Sequence, residues 1–252
     1  MLCSKISLAI KLPAAVLLGL TFILWQPLLN AAEASTIIAA PVQDNPKQDN
    51  PKQDNPTQDN QKVASALQTT VVAGGCFWGM QGVFEHVKGV RKVVAGYAGG
   101  DKDSANYKAV STGSTGHAEA VKITYDPAEV SYGELLHIFF SVAHDPTQLN
   151  RQGPDSGTQY RSNIFYTDNA QKNIAQTYIA QLNKSKVFPR DITTRVDSFK
   201  SFYAAEDYHQ DFLIHNPNYP YIVFNDLPKI ENLKRIFPKN YNVQPVMLGT
   251  TY

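Results

Sequence analysis

The sequence predicts a mixed α/β or α+β layer fold, and three observations support it. Period-two strands alternate with helical periodicity, they do so without a strict βαβ rhythm, and they crowd into residues 67–252 between glycine-rich turns. TTVVAGG (Thr69 to Gly75) is rich in β-branched residues and meets a tight turn, so it reads as a strand. Phe77, Met80, Phe84 and Val87 then mark one face of a helix, with Gly89 as its C-terminal cap. Gly79 and Gly82 oppose that helix by about 1 kcal/mol each. VRKVVAGYAGG (Val90 to Gly100) reads as a second strand with a glycine exit, and EAVKITYD (Glu119 to Asp126) alternates as a half-buried strand. Ser131 and Glu134 stand in capping-box spacing ahead of Leu135, Ile138, Phe139 and Val142, which predicts a helix. RSNIFYT (Arg161 to Thr167) reads as a strand, and Asp168 or Thr167 caps a long amphipathic helix carrying Ile174, Tyr178, Ile179 and Leu182.

Composition narrows the function. Hydrophobic residues make up 43% and charged residues 18%, a globular balance, and the net charge is +1 with no stripe of Lys or Arg. Nucleic acid is therefore not an expected partner. No HExxH motif occurs, and His117-Ala118-Glu119 lacks the downstream cysteines of a zinc deaminase, so no metal is expected. His86, His137, His144, His209 and His215 are scattered and read as ordinary polar or structural residues.

The chain divides into three parts. In residues 1–34, Lys5 and Lys11 accompany the apolar run Leu12 to Trp25, followed by Ala32-Glu33-Ala34 or Asn30-Ala31-Ala32 as small-residue cleavage sites. That is the pattern of a secretory signal peptide, with an uncleaved anchor as the alternative, and it implies a periplasmic or other extracytoplasmic location. Residues 35–66 contain QDNPK repeats with no apolar side chain to bury, which predicts a disordered linker acting as a tether. Residues 67–252 are the folded domain. Cys3 leaves with a cleaved leader, so the mature protein carries Cys76 alone and no disulfide framework.

GGCFWGMQ (Gly74 to Gln81) places that thiol at a predicted helix N-terminus, where unpaired N–H groups and the helix dipole favour a thiolate. A buried structural cysteine is the alternative. Trp78 falls off the apolar stripe, on a face shared with Gln81 and Glu85, and reads as a substrate wall away from the core; Phe77 fits core and pocket equally. Glu119 alternates onto the apolar face of Val121, Ile123 and Tyr125, so its pKa should rise and make it a candidate general acid near neutrality, with a surface Glu at a strand entrance as the alternative. HDPTQLNRQGPDSGTQYRS (His144 to Ser162) is a long structured loop in which Asp155, Gln159, Tyr160 and Arg161 are candidate site residues, with a solvated loop anchored by its own Asx turns as the alternative.

These residues resemble the A-type peptide methionine sulfoxide reductases. GCFWG (Gly75 to Gly79), TGHAEAV (Thr115 to Val121), YDP (Tyr125 to Pro127), HDPTQ (His144 to Gln148), RQGPDSGTQYRS (Arg151 to Ser162) and FYAAEDYHQ (Phe202 to Gln210) occur in the family's order. The resemblance implies a two-layer sandwich with a ferredoxin-like mixed central sheet. It implies Cys76 as nucleophile, Phe77 and Trp78 as holders of the substrate methyl group, and Glu119 as the acid at the sulfoxide oxygen. Tyr107 and Tyr160 match the tyrosines that bind that oxygen, and Asp155 matches an acidic position of the site. The implied reaction reduces the S epimer of methionine sulfoxide, free or in oxidised proteins and peptides, through a cysteine sulfenic acid. No cofactor is expected to be bound.

The tail after Phe237 departs from many family members by lacking a resolving cysteine. An external thiol, from a thioredoxin-like protein, a glutaredoxin or glutathione, is then the reductant, and the enzyme is expected to be a monomer. The rival readings are a cysteine hydrolase that uses a histidine such as His117, and a sulfoxide-binding module without turnover.

Overall fold

The computed structural model describes residues 38–42 and 66–249. Eight strands occur among them: β1 (Gln68–Ala73), β2 (Val90–Ala98), β3 (Ala118–Tyr125), β4 (Arg151–Gln152), β5 (Asp155–Ser156), β6 (Asn163–Tyr166), β7 (Arg195–Ser198) and β8 (Phe202–Ala204). The α-helices are α1 (Phe77–Glu85), α2 (Tyr107–Val110), α3 (Tyr132–Ile138), α4 (Asn169–Ser185), α5 (Phe212–His215) and α6 (Leu227–Ile236).

Six strands form one sheet in the order β7-β6-β1-β3-β2-β8. Its central four, β6-β1-β3-β2, are mutually antiparallel, and their chain order of fourth, first, third, second is the ferredoxin-like arrangement. β7 joins β6 in parallel, which makes the sheet mixed. β4 and β5 form a separate small hairpin inside the long loop.

The sequence signals explain the main elements. Val71, Val72 and Ala73 are buried on both faces of β1, beneath the helices and beneath Phe165 and Ala120. Ser131 Oγ accepts from the Glu134 N–H and Glu134 reaches back to the Ser131 N–H, completing the capping box of α3. Asp168, rather than Thr167, caps α4 by accepting from the Gln171 N–H. Phe77, Met80, Val83 and Phe84 of α1 are sealed in the core, Met80 with 0% exposure.

Three expectations need correction. Gly89 is not the cap of α1, which ends at His86; Gly89 takes φ +88° in the turn into β2. The face bearing Trp78, Gln81 and Glu85 does not look away from the core. Gln81 and Glu85 are buried, because Gln210 to Phe212 and the helices α5 and α6 cover α1 on the side opposite the sheet. The helix is sandwiched, and its glycines allow the close approach: a Cβ at Gly79 would strike the Asp226 carboxylate and one at Gly82 would strike Leu213. Finally, the linker expected over 35–66 is not free throughout, since Ile38 is buried in the main core. The leader, residues 1–34, and the repeats from Gln43 to Lys62 lie outside the described residues. Among the described residues no helix is long and apolar enough to cross a membrane.

Candidate active site

The site grows from the junction of β1 with α1. Gly75 has φ +100°, a region L side chains avoid, and a Cβ there would come within 2.6 Å of the Gln152 side chain. This turn delivers Cys76 as the N-cap of α1, half-buried and with no side-chain cap bond. Next in the chain, the Phe77 N–H donates to Glu119 Oε2 at 3.1 Å, so the first turn of α1 and the acid on β3 are joined directly. Glu119 is 2% exposed, and burial pushes its carboxyl up to about 8 against the lowering bond from Phe77, with the Asp155 charge adding to the rise. The carboxyl is therefore protonated at neutral pH, as its apolar strand face predicts.

Cys76 behaves otherwise than the helix terminus suggests. Burial pushes its thiol well up, and the Glu119, Asp226 and Asp155 carboxylates push it further, while the Trp78 backbone N–H lowers it too little to compensate. The opposing charges come from β3, from β5 and from a π-helical turn at Ile222–Asp226, none of them near Cys76 in sequence.

Beside the thiol stands an aromatic wall. Trp78 stacks on Phe212 with centroids 3.9 Å apart and 12° between planes, and meets Tyr219 and Tyr221 edge-on. Its indole N–H donates to His209 Nδ1 at 3.1 Å, which fixes the ring's rotation. His209 is 2% exposed and packs among Phe77, Tyr107 and Tyr208, with centroids 5.0, 4.6 and 4.2 Å away. Burial holds its pKa below the usual histidine value, partly offset by the Glu206 charge. The neutral ring accepts at Nδ1 and so carries its proton on Nε2. Phe77 itself is buried at 1%, part of the core and of the floor beneath His209.

The polar members enter from other segments. Tyr107 begins α2, where its backbone N–H donates to Glu206 Oε1 at 2.9 Å, and the residue is 36% exposed. Tyr160 ends the 3-10 turn Thr158–Tyr160 after β5. Burial raises both phenols, and the Glu119 and Cys76 charges raise them further, which places both in one electrostatic neighbourhood with the thiol and the acid. Neither phenol is bonded to another described side chain, leaving both available to an acceptor. Asp155 accepts a short hydrogen bond from the Tyr221 hydroxyl, and burial raises its carboxyl. Asp226, with no exposure, pairs with Lys229 at 3.1 Å beneath Gly79.

Other candidates take structural roles. Gln159 bonds the Ser111 carbonyl, and Arg161 donates to the carbonyls of Gly116, His117 and Thr158, fastening the loop to β3. His117 receives the Gly100 N–H on Nδ1 and faces the Asp101 carbonyl with Nε2, so both ring nitrogens are engaged by backbone and it is no base for Cys76. No cluster of metal-ligating side chains occurs among the described residues. Sequence reasoning missed His209, Phe212, Tyr221 and Asp226. The aromatic density of Tyr208 to Tyr221 was the available signal, but nothing local ties it to a cysteine more than 130 positions earlier.

A family model described as "Peptide methionine sulfoxide reductase" matches residues 68–241. The chain is 62% identical over 188 residues to "Peptide methionine sulfoxide reductase MsrA 2" of Mesorhizobium japonicum, covering 75% of this chain and 96% of that protein. It is 54% identical over 181 residues to the Synechocystis protein of the same name, covering 72% and 85%. Among solved structures, it is similar to Mxr1 from Saccharomyces cerevisiae in reduced form, with TM-score 0.54, 33% identity, and 61% and 87% of the two chains covered. It is likewise similar to methionine sulfoxide reductase A of Corynebacterium diphtheriae, with TM-score 0.52, 36% identity, and 60% and 76% covered.

Proposed function

The chain belongs to the peptide methionine sulfoxide reductase family, it is an enzyme that reduces methionine sulfoxide, and from that premise we propose how its own residues do so. Sulfoxide oxygen is a poor leaving group until it is protonated. Glu119, neutral up to about pH 8, donates that proton while the Tyr107 and Tyr160 phenols bind the oxygen. Trp78, with Phe77 beneath it, receives the substrate methyl group and selects the S epimer. Asp155, oriented by Tyr221, lines the polar side.

Cys76 sulfur then attacks the substrate sulfur. The raised thiol pKa means that the thiolate forms within the substrate complex rather than waiting in the free enzyme. Sulfoxide plus thiol gives methionine plus Cys76 sulfenic acid, with the oxygen passing from one sulfur to the other. Two external thiols return the sulfenic acid to thiol, releasing water and forming one disulfide. Thioredoxin-like proteins, glutaredoxin and glutathione are the candidate donors. Action as a monomer is part of the proposal.

The charge and apolar pattern of residues 1–34 supports export to an extracytoplasmic compartment, with an uncleaved leader as a membrane tether in the alternative. Cell fractionation with N-terminal sequencing of the recovered protein decides between the two; recovery of intact chain from the cytosol overturns both.

The observation that carries the mechanism is the buried Glu119 carboxyl joined to the Phe77 N–H, one residue from the thiol. The test is intact mass after methyl p-tolyl sulfoxide and dimedone, with Cys76→Ser alongside. One dimedone adduct in the wild type and none in the variant is the expected result. Absence of both adduct and sulfide product from folded protein overturns it. The hydrolase reading loses its base because His117 is bound to backbone on both nitrogens.

A further inference from the structure

We propose that the face shared by α3 and α4 is a docking groove for the chain's own segment Ile38–Val42, and that this clasp makes the QDNPK repeats a loop closed on the domain rather than the tether that carries it.

The groove reads the segment's backbone almost atom by atom. Three successive carbonyls each meet a side chain: Ile38 O faces His137 Nε2 at 2.8 Å, Ala39 O accepts from the Tyr178 hydroxyl at 2.8 Å, and Ala40 O accepts from Gln181 Nε2 at 2.8 Å. Gln181 also accepts from the Val42 N–H at 2.9 Å, so one side-chain amide bonds both an acceptor and a donor of the segment's backbone. Pro41, between them, has no N–H to satisfy and fixes φ in the extended range. Ile38 adds the apolar anchor, 4% exposed within the main core cluster.

The groove is built from the fold's own core. Tyr178 is 1% exposed and meets His137 edge-on with centroids 6.4 Å apart, and its ring also packs on Phe140. Tyr178 and Gln181 lie three residues apart on α4 and so share one helix face. Four directed hydrogen bonds and one buried side chain in five residues describe an anchored segment, a different state from the disordered linker expected over residues 35–66.

The consequence is topological. The chain is held at Val42 and again from β1, and residues 43–65 connect those two points. The reach of the domain from anything holding its N-terminus is then set by the residues before Ile38, and the number of repeats changes only the size of the loop.

Loop closure supplies a test that an open tether fails. The closing entropy varies as three halves of the logarithm of loop length, so removing ten of the 23 residues between the anchors should tighten the clasp about twofold. Hydrogen exchange at the Val42 amide in the full chain measures its opening. We expect slow exchange in the wild type, exchange slower by about twofold when residues 43–52 are deleted, and exchange approaching that of an unstructured peptide in Gln181→Ala. Tyr178→Phe, which keeps the ring, should raise the rate part of the way. Sulfoxide reduction measured on each variant shows that the domain is folded, since neither Gln181 nor Tyr178 touches the site. Val42 exchange at the unstructured rate in the wild type, or no response to both the deletion and Gln181→Ala, overturns the proposal.

Discussion

Glu119 and Glu85 are both buried carboxyls whose pKa values burial drives far up, to about 8 and about 10, yet they do different things. Glu119 ends on a site with a thiol, a phenol pair and an aromatic wall within its electrostatic reach. Glu85 lies at the far end of α1, where the neighbouring Asp211 carboxyl adds to the rise that burial causes. Desolvation raises a carboxyl's pKa wherever it occurs. What turns such a group into an acid catalyst is a reactive neighbour and room for a substrate, so the shift alone marks Glu85 as strongly as Glu119.

The sharpest way to break the comparison is to neutralise each carboxyl. Glu119→Gln should lower turnover by about 10²–10³-fold, the usual worth of a general acid, and Glu85→Gln should leave it within about twofold. The wild type should also lose rate as pH rises through about 8, where Glu119 gives up its proton, and Glu119→Gln should lack that limb. A steady-state pH profile of the three proteins checks this. Normal turnover in Glu119→Gln sinks the acid role.

Stability reads the other side of the comparison. Both groups hold a proton in the folded state that the unfolded chain releases above the ordinary carboxyl value of 4.5. Their contribution is therefore complete below 4.5, fades as pH rises, and is gone above about 8 for Glu119 and about 10 for Glu85, each at a slope on the order of 1 kcal/mol per pH unit. Between pH 8 and 10 only Glu85 remains, so Glu85→Gln should flatten that part of the curve in urea titrations. An unchanged slope would mean that Glu85 is ionised in the fold.

His209 tests the wall. His209→Phe removes the acceptor for the Trp78 indole and should raise KM about tenfold with a smaller change in kcat, while His209→Asn, which keeps an acceptor, should recover most of the loss. Protonation at acid pH removes the same acceptor, so the wild-type KM should climb below the depressed His209 pKa and the Asn variant's should not. Equal KM values in the two variants would reduce His209 to packing. The smallest effect is expected at the leader: Cys3→Ser should not alter turnover, and a clear loss would draw that residue into catalysis.

Much of this was readable in the residues. The strand, turn and helix around Cys76, the capping box at Ser131 and the apolar face of Glu119 are local patterns, and local patterns survive folding. The failures share a cause. β8 has three residues and exists because it pairs with β2 some hundred positions earlier, and His209 reaches Trp78 across a similar gap. The outward reading of Gln81 and Glu85 assumed that α1 packs on one side, whereas Gln81 clasps Asp211 through its N–H and carboxylate. The thiolate reading of Cys76 summed one helix dipole and omitted three carboxylates brought in by topology. The repeats hid the clasp, because five ordinary residues before a polar tract carry no pattern that names their receptor.

The sandwiching of α1 also bears on how such an enzyme ages. Met80 lies on that helix with 0% exposure, so a peroxide molecule meets its sulfur only when the fold opens. The protein that mends oxidised methionine thus carries one that wears out on the clock of its own unfolding, and the sulfoxide accumulated there records how often the domain has come apart.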